Sequence, residues 1–315
     1  MECNMLGTTS LGISKIGFGC MSLTPEREVE GKRAVCGAIE AGINFFDTAD
    51  VYSSGESERI LGRALHDCRV SRDDVVIATK CSIVFPGMAP QYTYKAYDAS
   101  ENYIRASCEQ SLKRLNTDYI DLFQVHRIDY LTHPEETAQA LEKLQREGKI
   151  RHAGVSNYSL PEIRALATYI RLESLQTPFS LLNLEPLEVG YQAICLEKSM
   201  TLLAYSPLAR AALTGTKEFS HSDWQGQRDA GVVVQLRHFA DKYNLTLGQL
   251  SLAWLLQMPG GVIPLVGTAN DAHIREAAAA AEVTLARDDW YEMLVIARGR
   301  PMPWGQRPYF YLKEK

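Results

Sequence analysis

Four residues that could together give a proton to a bound substrate stand at the ends of apolar runs. Asp47 and Tyr52 follow the aromatic run at residues 43–46, and Lys80 and His126 end two later apolar runs. In parallel α/β folds such strand ends converge on one edge or mouth, where the chemistry is placed. Taken singly, each of the four is an ordinary loop or structural residue. Together they form a candidate acid.

The acid would be the Tyr52 phenol. Its reference pKa is about 10, so ready proton donation near neutral pH calls for roughly 3–4 kcal/mol of phenolate stabilisation. A lysine ammonium about 4 Å away supplies roughly that much at an effective dielectric constant of about 20. Lys80 is therefore predicted to lower the pKa of Tyr52, and Asp47 to keep the buried Lys80 charged. His126 could donate a hydrogen bond to the substrate oxygen and orient it.

Composition narrows the class of protein that carries these residues. The 315 residues are 46% hydrophobic and 23% charged, with a net charge of −5, which is typical of a soluble globular protein. The scattered Lys and Arg residues give no sign of nucleic-acid binding. No apolar run is long enough to span a membrane, and residues 1–10 lack the features of a signal peptide. We expect a cytoplasmic protein with no nucleic-acid or membrane partner.

The cysteines point in the same direction. There are seven, at Cys3, Cys20, Cys36, Cys68, Cys81, Cys108 and Cys195. They show neither C-x-x-C pairs nor a nearby His at metal-ligand spacing, so no metal site is expected. An odd, dispersed set predicts reduced thiols in the core of a cytosolic protein.

Strand-like and helix-like patterns alternate along the whole chain. The predicted strands are residues 16–19, 43–46, 75–79, 119–125, 150–155, 172–176, 201–205 and 261–266, after a possible hairpin at 4–6 and 13–14. The predicted helices are residues 29–40, 56–66, 100–115, 132–147, one from 159, 231–243, 246–257 and 271–281. Capping boxes are predicted at Thr132/Glu135, Ser159/Glu162 and Thr246/Gln249.

Eight such repeats predict an α/β fold, a (β/α)8 TIM barrel, as a single domain over residues 1–315. An open doubly wound sheet is the alternative, but no G-x-G-x-x-G follows the first strand. Residues 82–99 and 208–228 are long segments that follow predicted strands. Long loops on that face usually form a binding site or its lid.

Several motifs resemble one family. F-F-D-T-A-D-V-Y-S-S-G-E-S-E with I-L-G-R-A-L, then I-A-T-K, Q-V-H and the G-V-S-N of residues 154–157, are similar to segments of the aldo-keto reductases. The resemblance covers nearly the whole chain. It implies a barrel that reduces aldehydes or ketones with a nicotinamide cofactor. The implied catalytic residues are Tyr52 as general acid, Lys80 and Asp47 as its tuning pair, and His126 as the orienting donor.

The resemblance also implies the cofactor contacts. The positions are Cys20, Met21, Asp47, Ser156, Asn157, Gln176, Tyr205, Ser206, Leu208, Arg210, Gly267, Thr268, Asn270, His273 and Glu276. Ser156, Asn157 and Gln176 would bind the nicotinamide carboxamide, and Tyr205 would stack on the ring. Ser206, Leu208 and Arg210 would follow the pyrophosphate. Residues 266–270, with His273 and Glu276, would surround the adenosine 2′-phosphate.

The cofactor expected from the family is NADP(H). The sequence departs from the family pattern, because Ala269 and Asn270 stand where a Lys and an Arg are usual, and Ala277 replaces an Asn. Fewer charge-assisted contacts to a 2′-phosphate are therefore available. NAD(H) remains the alternative cofactor.

The sequence leaves the substrate and two other functions open. The partner is expected to be a small carbonyl compound, whose pocket residues are candidates at Phe18, Met21, Phe85, Tyr130, Trp304 and Tyr309. One alternative is an NAD-linked sugar or alcohol dehydrogenase. The other is a cofactor-binding regulatory subunit like the potassium-channel β subunits. The oligomeric state is not predicted.

Overall fold

The structure, a computed structural model, describes residues 2–88, 92–215 and 224–302. In these residues eight parallel strands close into a barrel. Its strands are β3 (Gly17–Gly19), β4 (Phe45–Asp47), β5 (Val76–Cys81), β8 (Ile120–Val125), β9 (Ile150–Ser156), β10 (Ser174–Pro178), β11 (Thr201–Tyr205) and β12 (Ile263–Val266). Outside the barrel, β6 (Ile83–Val84) and β7 (Ala96–Tyr97) pair antiparallel in the segment between β5 and α3. The predicted single-domain (β/α)8 barrel is confirmed.

A hairpin closes one end of the barrel. Strands β1 (Cys3–Met5) and β2 (Gly12–Ser14) pair antiparallel, as predicted. Leu6 and Ile13 of this hairpin are fully buried against residues that begin the barrel strands, including Phe45. Apolar side chains therefore fill this end of the barrel. The polar residues lie at the opposite end, where the strands finish.

Alternation along the strands sends polar side chains into the barrel near its open end. Phe45 and Val76 belong to the interior cluster, and side chains two residues apart face the same side of a strand. Asp47, two residues beyond Phe45, and Lys80, four beyond Val76, therefore face the interior as well. The pairing of Lys80 with Gln124 across β5 and β8 adds a third polar residue at this level.

Ten α-helices lie in the described ranges. They are α1 (Glu28–Glu40), α2 (Glu56–Asp67), α3 (Glu101–Leu115), α4 (Pro134–Arg146), α5 (Leu160–Leu166), α6 (Tyr191–Lys198), α7 (Trp224–Lys242), α8 (Leu247–Leu256), α9 (Asp271–Ala279) and α10 (Arg287–Arg298). α6 and α10 were not predicted. No helix in the described part of the chain is both long and apolar enough to cross a bilayer.

Two of the three predicted capping boxes form, at Ser159 and at Thr246. The prediction for Thr132 is wrong, because α4 begins one residue later than the motif requires. His133 is its N-cap and accepts from the backbone N–H of Glu135 at 3.2 Å. The Thr132 hydroxyl instead bonds to Asp129 at 2.5 Å.

The prediction of reduced cysteines throughout is also wrong. Cys36 on α1 and Cys68, which caps the end of α2, form a disulfide across a sequence separation of 32 residues. The two helices pack side by side against the barrel. This packing brings together cysteines that no local motif connects. Cys3, Cys20, Cys81, Cys108 and Cys195 are free, and all but Cys3 are buried.

Candidate active site

The Lys80 side chain is the centre of the polar cluster at the open end of the barrel. Its Nζ donates to Asp47 Oδ2 at 2.7 Å, to the Thr48 carbonyl at 2.7 Å and to the Tyr52 hydroxyl at 3.4 Å. An ammonium has three N–H donors, so all of them are used. Lys80 is fully buried. Burial acts to lower its pKa, but Asp47 and Tyr52 more than offset this and raise the pKa overall, so Lys80 is positively charged.

Asp47 is held in place by two glutamines as well as by Lys80. Its Oδ1 accepts from Gln176 Nε2 at 2.7 Å and from Gln124 Nε2 at 3.4 Å. Gln124 was not predicted as a site residue, although it stands two positions before His126 and so shares its strand face. Its partner on the neighbouring strand β9 is Gly154. A side chain at position 154 would place its Cβ 3.2 Å from Gln124 Cγ and closer still to Ser174.

Tyr52 begins a 3₁₀ turn after β4 and faces Lys80 and His126. The Lys80 Nζ lies 4.9 Å from the centre of the Tyr52 ring, and the His126 ring is 6.0 Å away in an edge-on arrangement. Burial raises the pKa of Tyr52, and the Lys80 charge, although it acts in the predicted direction, does not reverse this. The prediction of a net lowered pKa is therefore wrong: desolvation outweighs the ammonium.

His126 lies directly after β8, with its backbone N–H bonded to the Cys81 carbonyl at 2.8 Å. Burial lowers its pKa well below the usual value, and the charge of Lys80 lowers it further. The ring is therefore neutral near pH 7. Its Nδ1 is buried without a hydrogen-bond partner among the described residues.

The predicted carboxamide-binding residues also come together beside this cluster. The Asn157 amide donates to Ser156 Oγ at 2.8 Å and to the His126 carbonyl at 3.4 Å. Its oxygen accepts from the Tyr205 hydroxyl at 2.9 Å. Ser156 is paired with Gln176 across β9 and β10. Asn157 has φ 58°, a left-handed conformation that Asn tolerates better than most residues.

The residues predicted along the pyrophosphate follow β11 in an unusual backbone. Ser206, Ala209 and Arg210 all have positive φ, between 48° and 54°. Leu208 is half-buried against the main core. No side-chain hydrogen bond joins these four residues in the described part of the chain, so the structure places them in one turn without bringing their side chains together.

Cys20 and Met21 lie in a 3₁₀ turn after β3 and differ in exposure. The Cys20 thiol is buried, and burial raises its pKa well above the usual value. Its carbonyl accepts from Ser57 at 2.8 Å. Met21 is 69% exposed. The turn therefore exposes the Met21 side chain at the rim and fixes the Cys20 backbone through its bond to Ser57.

The predicted 2′-phosphate segment lies at the start of α9. Asn270 is the N-cap and accepts from Ala272 N at 2.9 Å, while its own N–H donates to Thr268 at 3.1 Å. Gly267 lies beside β3, and its contact there is backbone to backbone. Glu276 bonds to Thr246 of the neighbouring helix. His273 is exposed.

A cleft of about 890 Å³ lies beside this segment, between α1 and α9. Three cations line it, Lys32, Arg33 and Arg275. Lys32 pairs with Asp67, and Arg275 pairs with Glu40 and Asp271. The sequence analysis did not identify these cations, because only the packing of α1 against α9 brings Lys32 and Arg33 to this cleft.

The candidate pocket residues divide into three groups. Phe18 is buried and packs on Phe46 with ring centres 5.9 Å apart, so it belongs to the core. Met21, Phe85 and Tyr130 are exposed. Trp304 and Tyr309 lie outside the described residues.

The family model of the aldo/keto reductase family matches residues 15–296. The chain is 33% identical over 308 residues to the 6-dehydroglucose reductase of Novosphingobium aromaticivorans, covering 95% of this chain and 96% of the relative. It is 32% identical to the aldo-keto reductase yakc [NADP(+)] of Schizosaccharomyces pombe, covering 87% and 85% of the two chains. Among solved structures, an aldo/keto reductase from Klebsiella pneumoniae in complex with NADP and acetate is similar with a TM-score of 0.76, 28% identity and 98% coverage of both chains.

The barrel and its strand-end residues therefore have the architecture of a carbonyl-reducing oxidoreductase. The chain belongs to the aldo/keto reductase family. It is an enzyme that reduces aldehydes or ketones, and the alternative of a regulatory subunit is not favoured.

Proposed function

We propose that this reductase uses NADP(H) and that Tyr52 gives the proton while Lys80, Asp47 and His126 hold the reacting groups. The observation that carries the assignment is the set of three hydrogen bonds from Lys80, to Asp47, Thr48 and Tyr52. They fix the phenol beside an imidazole inside the open end of the barrel. Reduction adds a hydride to the carbonyl carbon and a proton to the carbonyl oxygen.

The direction of the Lys80 bond determines what Tyr52 can do. Because the ammonium donates to the phenol oxygen, the phenol O–H is left to point at another acceptor. The raised pKa of Tyr52, caused by burial, keeps this proton on the phenol at neutral pH. An oxygen that becomes an alkoxide is far more basic than a phenolate, so it can take the proton without a lowered phenol pKa. Lys80 then stabilises the phenolate that remains.

His126 supplies orientation instead of the proton. Its lowered pKa, caused mainly by burial, leaves a neutral ring with one N–H. A neutral donor can hydrogen-bond the carbonyl oxygen without competing with Tyr52 as an acid. The edge-on packing of the two rings, with centres 6.0 Å apart, lets both act on one oxygen.

The polar groups beside this cluster fit a nicotinamide carboxamide. Gln176 uses its amide nitrogen for Asp47, and its oxygen accepts from no described residue, so it can accept from the carboxamide NH₂. Ser156 accepts from Asn157 and keeps its O–H for the carboxamide oxygen. When bound, NADPH would supply the hydride. Tyr205, fixed by its bond to Asn157, would support the ring.

Replacing the proposed acid tests the mechanism. Tyr52→Phe should lower kcat/KM for aldehyde reduction about 10²- to 10⁴-fold, because one positioned acid is removed, while the Kd for NADPH from fluorescence titration stays within about twofold. Tyr119→Phe is the matched control: its hydroxyl bonds to Asp73 at 2.9 Å at the other end of β8. Retained activity in Tyr52→Phe would refute the assigned acid.

The cofactor preference is a separate test. The NADP in the names of the yeast relative and of the Klebsiella complex supports NADP(H). In the cleft beside the start of α9, Arg33 is a cation that forms no ion pair with the described residues. We expect kcat/KM to be at least about tenfold higher with NADPH than with NADH, since charge-assisted phosphate contacts are among the stronger hydrogen bonds. Equal or better use of NADH would contradict the proposal.

The substrate proposed is a polar aldehyde. Two curated relatives, each 33% identical, are named 6-dehydroglucose reductases, which supports a sugar-derived carbonyl compound. A panel of sugar aldehydes and simple alkyl aldehydes, assayed by NADPH oxidation, checks this. A preference for alkyl aldehydes would contradict it.

We also propose a cytoplasmic location and action on small molecules without nucleic acid. The reduced cofactor that a carbonyl reductase consumes is regenerated by metabolism inside the cell. The Cys36–Cys68 disulfide is the observation that argues against this location. Cell fractionation with thiol labelling before lysis tests both the location and the oxidation state of Cys36 and Cys68.

A further inference from the structure

Arg127 is fixed at the rim of the candidate active site. It directly follows His126 at the open end of β8. Its backbone N–H donates to Ser82 Oγ at 3.0 Å, and that hydroxyl donates back to the Arg127 carbonyl at 2.9 Å. Ser82 is fully buried directly after β5. The rim position of the Arg127 backbone is therefore set by two strands that also carry Lys80 and His126.

The Arg127 guanidinium has no protein partner in residues 2–88, 92–215 and 224–302. It makes no hydrogen bond or ion pair there, although the residue is partly buried. Other partly buried arginines do have partners: Arg114 bonds to Glu58 at 2.5 Å, and Arg72 to Asp121 at 2.6 Å. Arg127 thus has five donors that no described acceptor satisfies.

The charge of Arg127 acts on two residues of the site. Burial and the Lys80 charge lower the pKa of His126, and the positive charge of Arg127 lowers it further. Burial raises the pKa of Tyr205, and Arg127 opposes that rise. The guanidinium therefore lies within electrostatic reach of both rings.

Two more cations stand around the same rings. Lys95, which also acts on His126, has its Nζ 5.6 Å from the centre of the Phe85 ring. The charge of Arg210 acts to lower the pKa of Tyr205, and the carboxylate of Glu185 acts to raise it. Neither cation forms an ion pair with the residues that the structure describes. Three cations without an ion pair in the described residues, Arg127, Lys95 and Arg210, therefore act on the rings of the site.

We propose that the carbonyl substrate carries a carboxylate or a phosphate group and that Arg127 binds it next to His126. This rests on the proposed function, because it assumes that the carbonyl group lies between Tyr52 and His126. A guanidinium binds either anion through two parallel N–H bonds. Lys95 adds a second positive charge, so the site selects among aldehydes by an anionic group near the carbonyl.

Matched pairs of aldehydes test the proposal. Succinic semialdehyde is compared with butanal, and glyceraldehyde 3-phosphate with glyceraldehyde, by kcat and KM at low salt. We expect at least one anionic member to have about 10- to 100-fold higher kcat/KM than its neutral partner, the range of a hydrogen bond to a charged group. Added salt should raise the KM of that anionic member, because screening weakens the attraction.

The preference should depend on Arg127. In Arg127→Met the ratio of kcat/KM between the preferred anionic aldehyde and its neutral partner should fall to about one, through a rise in KM, and Arg127→Lys should restore part of it. Arg164→Met, on the exposed face of α5, removes the same charge far from the site and should keep the ratio. If Arg127→Met does not fold, Lys95→Met should lower the ratio in part.

Two outcomes overturn the proposal. Reduction of the neutral members as efficiently as the anionic ones, or an anionic preference that Arg127→Met retains, refutes the role of Arg127 while leaving the proposed function intact. Reduction of no aldehyde by wild-type enzyme refutes the proposed function together with it.

Discussion

Lys80 shows how one buried side chain orders a whole site. Its three donors serve Asp47, the Thr48 carbonyl and Tyr52, and no N–H is left for water or substrate. The ammonium therefore has one orientation, and the phenol oxygen that accepts from it has one as well.

The four proposed catalytic residues could be named from the sequence, but their energetics could not be predicted from it. The positions of Asp47, Tyr52, Lys80 and His126 follow from strand ends and family motifs. Whether Lys80 or desolvation dominates the pKa of Tyr52 depends on how deeply the phenol is buried. Burial arises from the whole barrel, and no local motif encodes it.

Asp50 is a buried carboxyl on the segment between Asp47 and Tyr52. Its N–H donates to the Lys80 carbonyl at 3.1 Å, and its Oδ2 accepts from Ser107 at 2.8 Å. Its Oδ1 has no partner in the described chain. Its pKa is raised to about 7, mainly by burial, and the negative charge of Glu58 adds to the rise. The hydrogen bond from Ser107 and the positive charge of Arg114 act in the opposite direction.

This raised pKa predicts a pH dependence of stability. Between the unfolded value of 3.8 and the folded value of about 7, the folded state binds more protons, so the free energy of unfolding falls as pH rises. The loss is complete above about pH 8 and amounts to roughly 4 kcal/mol at most. Asp50→Asn should flatten this fall in urea unfolding from pH 5 to 8. Asp118→Asn, at an exposed position, should keep it, and parallel curves for wild type and Asp50→Asn would contradict the prediction.

At the scale of elements, local patterns predicted most of the barrel. β11 (Thr201–Tyr205) has the predicted bounds, whereas β10 (Ser174–Pro178) begins two residues after its predicted start. α10 carries buried residues at Met293, Leu294 and Ala297, a spacing typical of one helix face, although no helix was predicted there. α6 has only Ile194 and Cys195 buried, too weak a pattern to identify.

The N-terminus of α8 gives a test at this scale. Thr246 and Gln249 bond reciprocally, side chain to backbone, at 3.1 and 3.0 Å. Thr246→Ala should therefore lower the free energy of unfolding by about 1 kcal/mol, the usual cost of losing an N-cap. Urea unfolding measures this. Thr246→Ser keeps the hydroxyl and should lose less than half as much; an equal loss in the two variants would mean that the cap is not the cause.

At the scale of the whole molecule, the barrel joins residues that are far apart in the chain. Gln176 reaches Asp47 across 129 positions, because β10 and β4 both turn polar side chains into the open end. The sequence predicts this convergence once the fold class is recognised. It does not predict contacts between helices on the outer layer, and so the Cys36–Cys68 disulfide was missed.

That disulfide should contribute measurably to global stability. It closes a loop of 32 residues between α1 and the end of α2, and the chain-entropy model gives about 3–4 kcal/mol for a loop of this length. The double variant Cys36→Ser with Cys68→Ser should lose about that much free energy of unfolding in urea, and dithiothreitol should bring the wild type down to the same level. Cys3→Ser, which removes an exposed free thiol, is the control and should match wild type. If the double variant is as stable as oxidised wild type, or if dithiothreitol destabilises both equally, the disulfide does not hold α1 and α2 together in solution.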